Sequence, residues 1–201
     1  MTHPISEIDP TMVDRASDTL TQAFMNEHGF IDTLPDDAKR ERALRDLWPP
    51  TIRYCLHYGT VIQTPHTAGV SCWVSPGNSG VTTWRIVRYG FTGFFLRMET
   101  ESRRFFLAQI NEIDRSRKRS LSEDYWYLWA VGVRPESQRQ GMGAALIEPM
   151  LARCRAEGVP AYLEAKCEKN VRFYEGLGFE ILHAGLVPKY DYPFWLMIFR
   201  P

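Results

Sequence analysis

The chain has no excess of either charge: 24 Lys and Arg stand against 24 Asp and Glu. Such a balance gives no reason to expect nucleic acid or an anionic membrane surface as the main partner. No apolar stretch approaches the ~20 residues a membrane helix requires. The start, MTHPISEIDP, is polar and lacks an apolar signal core, so a cytoplasmic, reducing setting is expected. Cysteine is scarce. Cys55, Cys72, Cys154 and Cys167 contain no Cys-x-x-Cys pair, and no histidine stands at metal-ligand spacing. They read as small, partly buried thiols, with no metal expected. Repeats and low-complexity tracts are absent too. A length of 201 residues suits a single domain with a core large enough to need no staples.

Aromatic and apolar residues are plentiful, and their periodicity orders the chain. Residues 5–8 read as a short first strand. Asp9-Pro10 opens a helix, Met12, Ala16, Leu20 and Phe24 recur at helical spacing, and Gly29 is expected to close it. A second helix is expected over 36–48, interrupted by Pro49-Pro50, with a further turn or two up to Gly59. TVIQT and GVSCWVS, separated by PHTA, read as a hairpin. The apolar segment 81–113 reads as one or two helices. The basic run RSRKR at 115–119 reads as a solvated loop or helix end, the alternative being a patch that steers a phosphorylated ligand. YWYLWAVGV is a buried strand, followed by a helix over 141–157 that contains Pro149 and is expected to bend there. AYLEA, a short helix at 169–177, FEILHAG and YPFWLMIF complete the order strand, helix, strand, helix, strand, strand. This order indicates an α/β or α+β sheet domain.

The chemistry concentrates in PESQRQGMGAALI at 135–147. Two glycines one residue apart stand between a buried strand and a helix. Bare N–H groups there, backed by the helix dipole, converge on one point and suit a phosphate or pyrophosphate. Arg139 adds positive charge. A P-loop would need Lys-Ser/Thr after its second glycine, and Ala144-Ala145 stands there instead. A Rossmann fingerprint would need a third small residue where Leu146 stands.

The pattern V-x-P-x-x-Q-x-x-G-x-G, from Val133 to Gly143, resembles the acyl-CoA pyrophosphate loop of the GNAT N-acetyltransferases. NVRFYEGLGF at 170–179 resembles that family's second motif. YLWAVGV, GVPAYLEA and FYEGLGF are most similar to the puromycin N-acetyltransferase-like members, and GVSCWVSP resembles them loosely. The resemblance implies a mixed, mostly antiparallel sheet flanked by helices and splayed at an acyl-CoA cleft. It implies one domain over 1–201, with 1–120 on the acceptor side and 121–201 as the acetyl-CoA-binding core.

It also implies site roles. Backbone at Gln138, Arg139, Gln140, Gly141, Met142, Gly143 and Ala144 would hold acetyl-CoA. Val131 and Val133 would pair with its pantetheine arm, and an N–H near Val131 would polarise the thioester carbonyl. Asn170 would touch the cofactor, or else cap a helix. Tyr174 would protonate the leaving sulfur, or else pack against the cofactor tail. Glu164 is the first candidate for general base, or else a structural ion-pair partner; Asp32, Glu99 and Glu101 are weaker candidates. Trp73, Trp84, Phe94, Trp126 and Trp129 are candidates for an apolar acceptor pocket or for the core. The implied activity is direct transfer of an acetyl group to a primary amine of a small molecule, by a monomer or homodimer. The alternatives are a non-catalytic acyl-CoA sensor and a protein acetyltransferase acting on an N-terminus or lysine.

Overall fold

Trp126, Leu128, Ala130 and Gly132 are buried and their neighbours half-buried, the alternation of a strand covered on both faces. In the computed structural model that strand is central. The model describes residues 4–80 and 82–201. The first three residues of the polar start, and Val81 at the head of the segment expected to be helical, lie outside the described residues. The strands are β1 (Ser6–Glu7), β2 (Gly59–Gln63), β3 (Gly69–Val74), β4 (Trp126–Val133), β5 (Ala161–Ala165), β6 (Glu180–Val187) and β7 (Tyr192–Phe199). They form one sheet in the order β1-β2-β3-β4-β5-β7-β6. Every pairing is antiparallel except β4 with β5. The mixed, mostly antiparallel sheet implied by the resemblance is the one observed.

The helices are α1 (Val13–Phe24), α2 (His28–Thr33), α3 (Asp37–Tyr58), α4 (Thr83–Tyr89), α5 (Thr92–Arg97), α6 (Thr100–Ser120), α7 (Met142–Glu157) and α8 (Glu168–Glu175). One face of the sheet packs Trp73, Trp126, Leu128 and Leu163 against Leu146, Ile147, Met150 and Leu151 of α7 and Val171 of α8. On the other face, α1 and α3 cover the half built by β2, β3 and β4, through Leu20, Leu44, Ile52, Val70 and Cys72. There α6 covers the β5–β7 half, through Ile113, Tyr162 and Leu196.

Three expectations about helices are corrected. Gly29 does not close the first helix, which ends at Phe24; it lies buried inside α2. The prolines do not interrupt the second helix, because α3 runs 22 residues through Pro49 and Pro50. Each proline removes one helix hydrogen bond. Burial of Trp48, Pro50, Thr51, Ile52, Tyr54 and Cys55 on the same stretch outweighs that loss, at roughly 1.5–3 kcal/mol per large apolar side chain. Segment 83–120 forms three helices, and the basic run is the end of α6. Pro149 sits within α7, which continues past it to the left-handed Gly158.

Two features shape β4. Trp73 pairs with Leu128 and Cys72 with Ala130, so Trp129 has no partner on β3 and forms a β-bulge. Beyond it, Gly132 lets α1 lie directly on the strand: a Cβ there would stand 2.8 Å from Ala23 Cβ and 3.0 Å from Leu20 Cδ2. Gly132→Ala should therefore lower stability by about 1–3 kcal/mol, read as an earlier urea midpoint. Gly93→Ala is the control, since its nearest atom is 3.7 Å away. Equal midpoints for the two variants would show that α1 is not pressed onto the strand.

Candidate active site

Register opens the site. β4 and β5 pair only at Trp126 with Ala161 and Tyr127 with Tyr162. Past that point Leu163, Glu164 and Ala165 pair with β7 alone, while Ala130 to Val133 pair with β3 alone. The two strands part just where the bulge bends β4. The Arg134 N–H is bonded to Ala68 O on the β3 side (2.8 Å). Strand alternation then directs the N–H groups of Val133 and Val131 to the open side. The side chain of Gln138 reaches back and donates to Val133 O at 3.0 Å, tying the loop to the strand end.

The glycine turn forms the end of this opening. Arg139 and Gly141 are both left-handed, with φ of 62° and 81°. In a non-glycine residue that conformation is strained, and such strain clusters at functional sites. Gly141 caps α7, and the first helical bond is Ala145 N–H to Gly141 O at 3.1 Å. The N–H groups of Met142, Gly143 and Ala144 precede it and have no acceptor within the helix. The two glycines differ. A Cβ on Gly141 would meet no protein atom within 4 Å, so the need there is for φ and for open space; a Cβ on Gly143 would stand 3.3 Å from the Phe173 ring. On the β3 side of the turn lies a concavity of about 500 Å³ lined by Arg15, His66, Arg134, Glu136, Ser137 and Met142.

At the inner end of the opening stands Glu164. Tyr127 donates to its Oε2 at 2.8 Å and Tyr162 to its Oε1 at 3.0 Å. Burial raises the Glu164 pKa, and the two phenol hydrogen bonds lower it; burial wins. Burial, reinforced by the Glu164 charge, keeps both phenols protonated far above neutral pH. Arg117 lies behind this group, bonded to Ser79 Oγ at 3.1 Å, to the Tyr125 hydroxyl and to Asp114. The reading of RSRKR as a steering patch is corrected accordingly: Arg117 turns inward, Arg115 pairs with Glu112 and Lys118 with Asp114.

Across the outer part of the opening lies α2, capped by Glu27, whose carboxylate accepts from Phe30 N at 3.2 Å. A Cβ on Gly29 would stand 2.9 Å from Glu27 Oε2, 3.0 Å from Lys166 Cδ and 3.2 Å from the Tyr192 hydroxyl. Those three side chains therefore meet beneath α2. The Tyr192 hydroxyl is buried without a hydrogen-bond partner among the described residues. Tyr174, on α8, packs edge-on against Phe173 and Phe179. Burial raises its pKa above the free phenol value, and the nearby Cys167 and Glu27 add to the rise.

Other expected residues fall elsewhere. Trp73, Phe94 and Trp126 are core, not pocket: Trp73 is fully buried, Phe94 packs in a cluster with Leu34 and Met98, and the Trp126 indole donates to Glu157 at 2.8 Å. Trp84 is 69% exposed on α4, away from the opening, while Trp129 is half-buried at the bulge. Glu99 pairs with Lys39 and Glu101 with Arg104 on the surface. Asp32 is exposed on α2, near Tyr192. Asn170 is not the cap of α8, a position held by Cys167. Cys55, Cys72 and Cys154 are buried and Cys167 half-buried, all free thiols. No cluster of metal-ligating side chains occurs among the described residues. Nor is any helix there long and apolar enough to cross a membrane. Tyr127, Lys166, Tyr192 and Glu27 were missed by the sequence reading. Only Tyr162 carried a local signal, standing two residues before Glu164 on the same strand face.

The sheet split ends beside a glycine turn at a helix start. Residues 90–179 match the family model described as Acetyltransferase (GNAT) family. The family match, the curated relative and the solved structures together support a GNAT-type acetyltransferase. An uncharacterized N-acetyltransferase of Schizosaccharomyces pombe is 28% identical over 82% of this chain and 69% of its own length. A solved structure titled histone acetyltransferase HPA2 and related acetyltransferase, from Corynebacterium glutamicum, superposes with a TM-score of 0.66 at 21% identity, covering 100% of this chain and 97% of that one. Arylalkylamine N-acetyltransferase 2 from Aedes aegypti superposes with a TM-score of 0.65 at 13% identity, covering 100% and 99%. At these identities the two structural likenesses are of fold.

The balance at Glu164 is open to measurement. Its folded pKa lies above the unfolded value, so its contribution to stability is complete below the unfolded pKa and is lost as pH rises through the folded one. A carboxyl carbon-13 titration should place Glu164 above the ordinary value of about 4.3. Tyr127→Phe removes a hydrogen bond to the charged form and should move it higher still. A lower value in the variant would show that the phenol does not act on the carboxylate.

Proposed function

We propose that the chain transfers an acetyl group from acetyl-CoA directly to a primary amine of a small molecule. The single observation that carries this is the opening between β4 and β5, with free N–H groups at its outer end and a buried carboxylate at its inner end. The residues fit the donor. Gly141 leaves open space on the side its Cβ would occupy, and three unbonded N–H groups point out of α7. When bound, acetyl-CoA supplies an activated thioester. Gln138, Arg139, Gln140, Gly141, Met142, Gly143 and Ala144 hold its pyrophosphate. Val131 and Val133 offer backbone N–H groups as a missing strand would, and the Val131 N–H polarises the acyl carbonyl. Asn170, on the third residue of α8, adds a side-chain amide contact.

Glu164 accepts the amine proton, directly or through water. A raised pKa suits a base better than an ordinary carboxylate, provided the working pH lies above it. Tyr174 donates to the leaving sulfur. Its raised pKa makes it a hydrogen-bond donor first, releasing its proton only as negative charge builds on the sulfur. The acceptor body lies under α2 and beside Tyr127 and Trp129, a half-buried aromatic edge that suits an amine with an apolar or aromatic part. An arylalkylamine acetyltransferase among the structural neighbours, and the motif similarity to puromycin acetyltransferase-like proteins, support a small acceptor. Residues 1–120 would then form the acceptor side of one domain whose donor side is 121–201.

Calorimetric titration with acetyl-CoA, with ATP and NADH as controls, tests the donor. Binding of acetyl-CoA alone is expected, and Gly141→Val should weaken it sharply. Unaltered affinity in that variant would remove the turn from the binding site. Tyr174→Phe should lower kcat by about 10²-fold with acetyl-CoA affinity nearly intact. Glu164→Gln should lower kcat/KM by a similar factor or more and flatten the acid limb of the pH profile. Turnover only with peptide or protein amines would overturn the small-molecule assignment.

A further inference from the structure

Lys166 is an amine already in the acceptor's place. It follows β5 directly, two residues after Glu164, so the pleat directs both side chains to the α2 and α6 face of the opening. The side chain is half-buried, and its Cδ packs at Gly29 beside the Glu27 carboxylate. It makes no hydrogen bond or ion pair within reach of a contact among the described residues. An ammonium is seldom held this way, because desolvation is uncompensated. The charges acting on it are Glu27 and Glu164, and burial outweighs both, lowering its pKa and easing loss of its proton.

Glu27 also acts on Tyr174. Lys166 thus shares the Glu27 carboxylate's influence with Tyr174 and stands two residues from Glu164 on the same face of the chain. The other lysines are unlike it: Lys39, Lys118, Lys169 and Lys189 are exposed, and the first two are paired with Glu99 and Asp114.

We infer that Lys166 is an internal acyl acceptor, acetylated by the chain's own site when no amine substrate occupies it, and that the acetylated side chain then blocks that site. This rests on the proposed acetyl-CoA chemistry. The neutral Nζ forms a C–N bond to the acyl carbon and the C–S bond breaks. The amine proton passes to Glu164, and the sulfur leaves as a thiolate protonated by Tyr174 or water. Thioester and lysine become amide and free thiol, with no oxidant or further co-reactant. The product is an uncharged amide where a partly buried amine had stood, so nothing electrostatic opposes its retention.

The experiment incubates the intact protein with acetyl-CoA in the absence of amine, following thiol release and mapping acetylation by peptide mass. One acetyl group per chain is expected, on Lys166, gained at least tenfold faster than on any of the four exposed lysines. Glu164→Gln should slow Lys166 alone. Amine acetylation by the wild type, relative to its own starting rate, should decline in step with Lys166 occupancy. Lys166→Arg should keep its starting rate through the same incubation. Labelling of Lys166 no faster than of the exposed lysines would overturn the inference, as would full occupancy with undiminished turnover. Calorimetry separates the two levels. If acetyl-CoA binds and an added amine is acetylated while Lys166 stays unmodified, this inference alone falls. If acetyl-CoA does not bind, the donor reading falls and takes this one with it.

Discussion

Everything in the site depends on two strands that stop pairing. After Tyr127 and Tyr162, β4 and β5 no longer pair with each other, and a side chain, Gln138, takes up Val133 O at the far end. Unpaired N–H and C=O groups inside a sheet are costly unless something satisfies them. The protein keeps them apart by construction. The bulge at Trp129 turns β4, Gly132 draws it against α1, and β5 is held to β7 along its whole length. Each strand is thus anchored to its own half of the sheet, and the halves are covered by different helices on the α1 face. On that face the opening is the seam between two bodies of side chains. Closing it would require one of those cores to move.

A second cost stands at the inner end of the seam. Taking a carboxylate out of water costs on the order of several kcal/mol, and two neutral phenols return only part of it, roughly 1.5–3 kcal/mol each. A core optimised for stability alone would hold an apolar residue at Glu164. The surrounding hydroxyls do not neutralise the charge; they orient it and share it. Arg117 is close enough to act on Glu164 and on both phenols, yet it is bonded to Tyr125, Ser79 and Asp114. That leaves the carboxylate without a salt bridge and therefore basic. A direct arginine pair would lower its pKa and with it any capacity to take a proton from an ammonium.

How much of this the sequence showed follows how local each feature is. The turn at 135–147, the helix behind it and the motif at 170–179 are contiguous in the chain, and their geometry follows from glycine φ, capping and period. The elements were legible to within a residue or so at their starts, Gly141 against Met142 and Lys169 against Glu168, while the alternative of Asn170 as a cap was not borne out. Strands β2 to β7 were legible for the same reason. The failures lie where long-range packing overrides a local rule. Pro49 and Pro50 should break a helix, but burial of α3 against the sheet outweighs two lost hydrogen bonds. Gly29 looked like a helix stop, but it serves the close approach of α2 to Lys166 and Tyr192. Trp73, Phe94 and Trp126 could not be sorted into core or pocket by composition, since both need the same side chains. Tyr127 and Glu164, 37 residues apart, meet only through a register that no short window contains.

The same division explains why the motifs that carry the family resemblance lie at 133–143 and 170–179 and not in residues 1–120. Under the proposed function, phosphates and a pantetheine arm are constant, and backbone groups of one short loop and one strand would recognise them, so few sequences satisfy the requirement. An amine, under the same proposed function, would be recognised by side chains converging from α2, β4, β5, β7 and α8. Many combinations produce such a pocket, and each leaves only scattered single residues in the sequence. In this chain the convergence is built from ionisable groups in partial burial: Glu27, Glu164, Lys166, Tyr174 and Tyr192. Their charges act on one another at short range and in low dielectric, where interactions are strong and screened little by salt. An acceptor entering among them meets the Glu27 and Glu164 carboxylates, neither held in an ion pair among the described residues. Its own charge and shape, more than its apolar area, will then decide whether it is admitted.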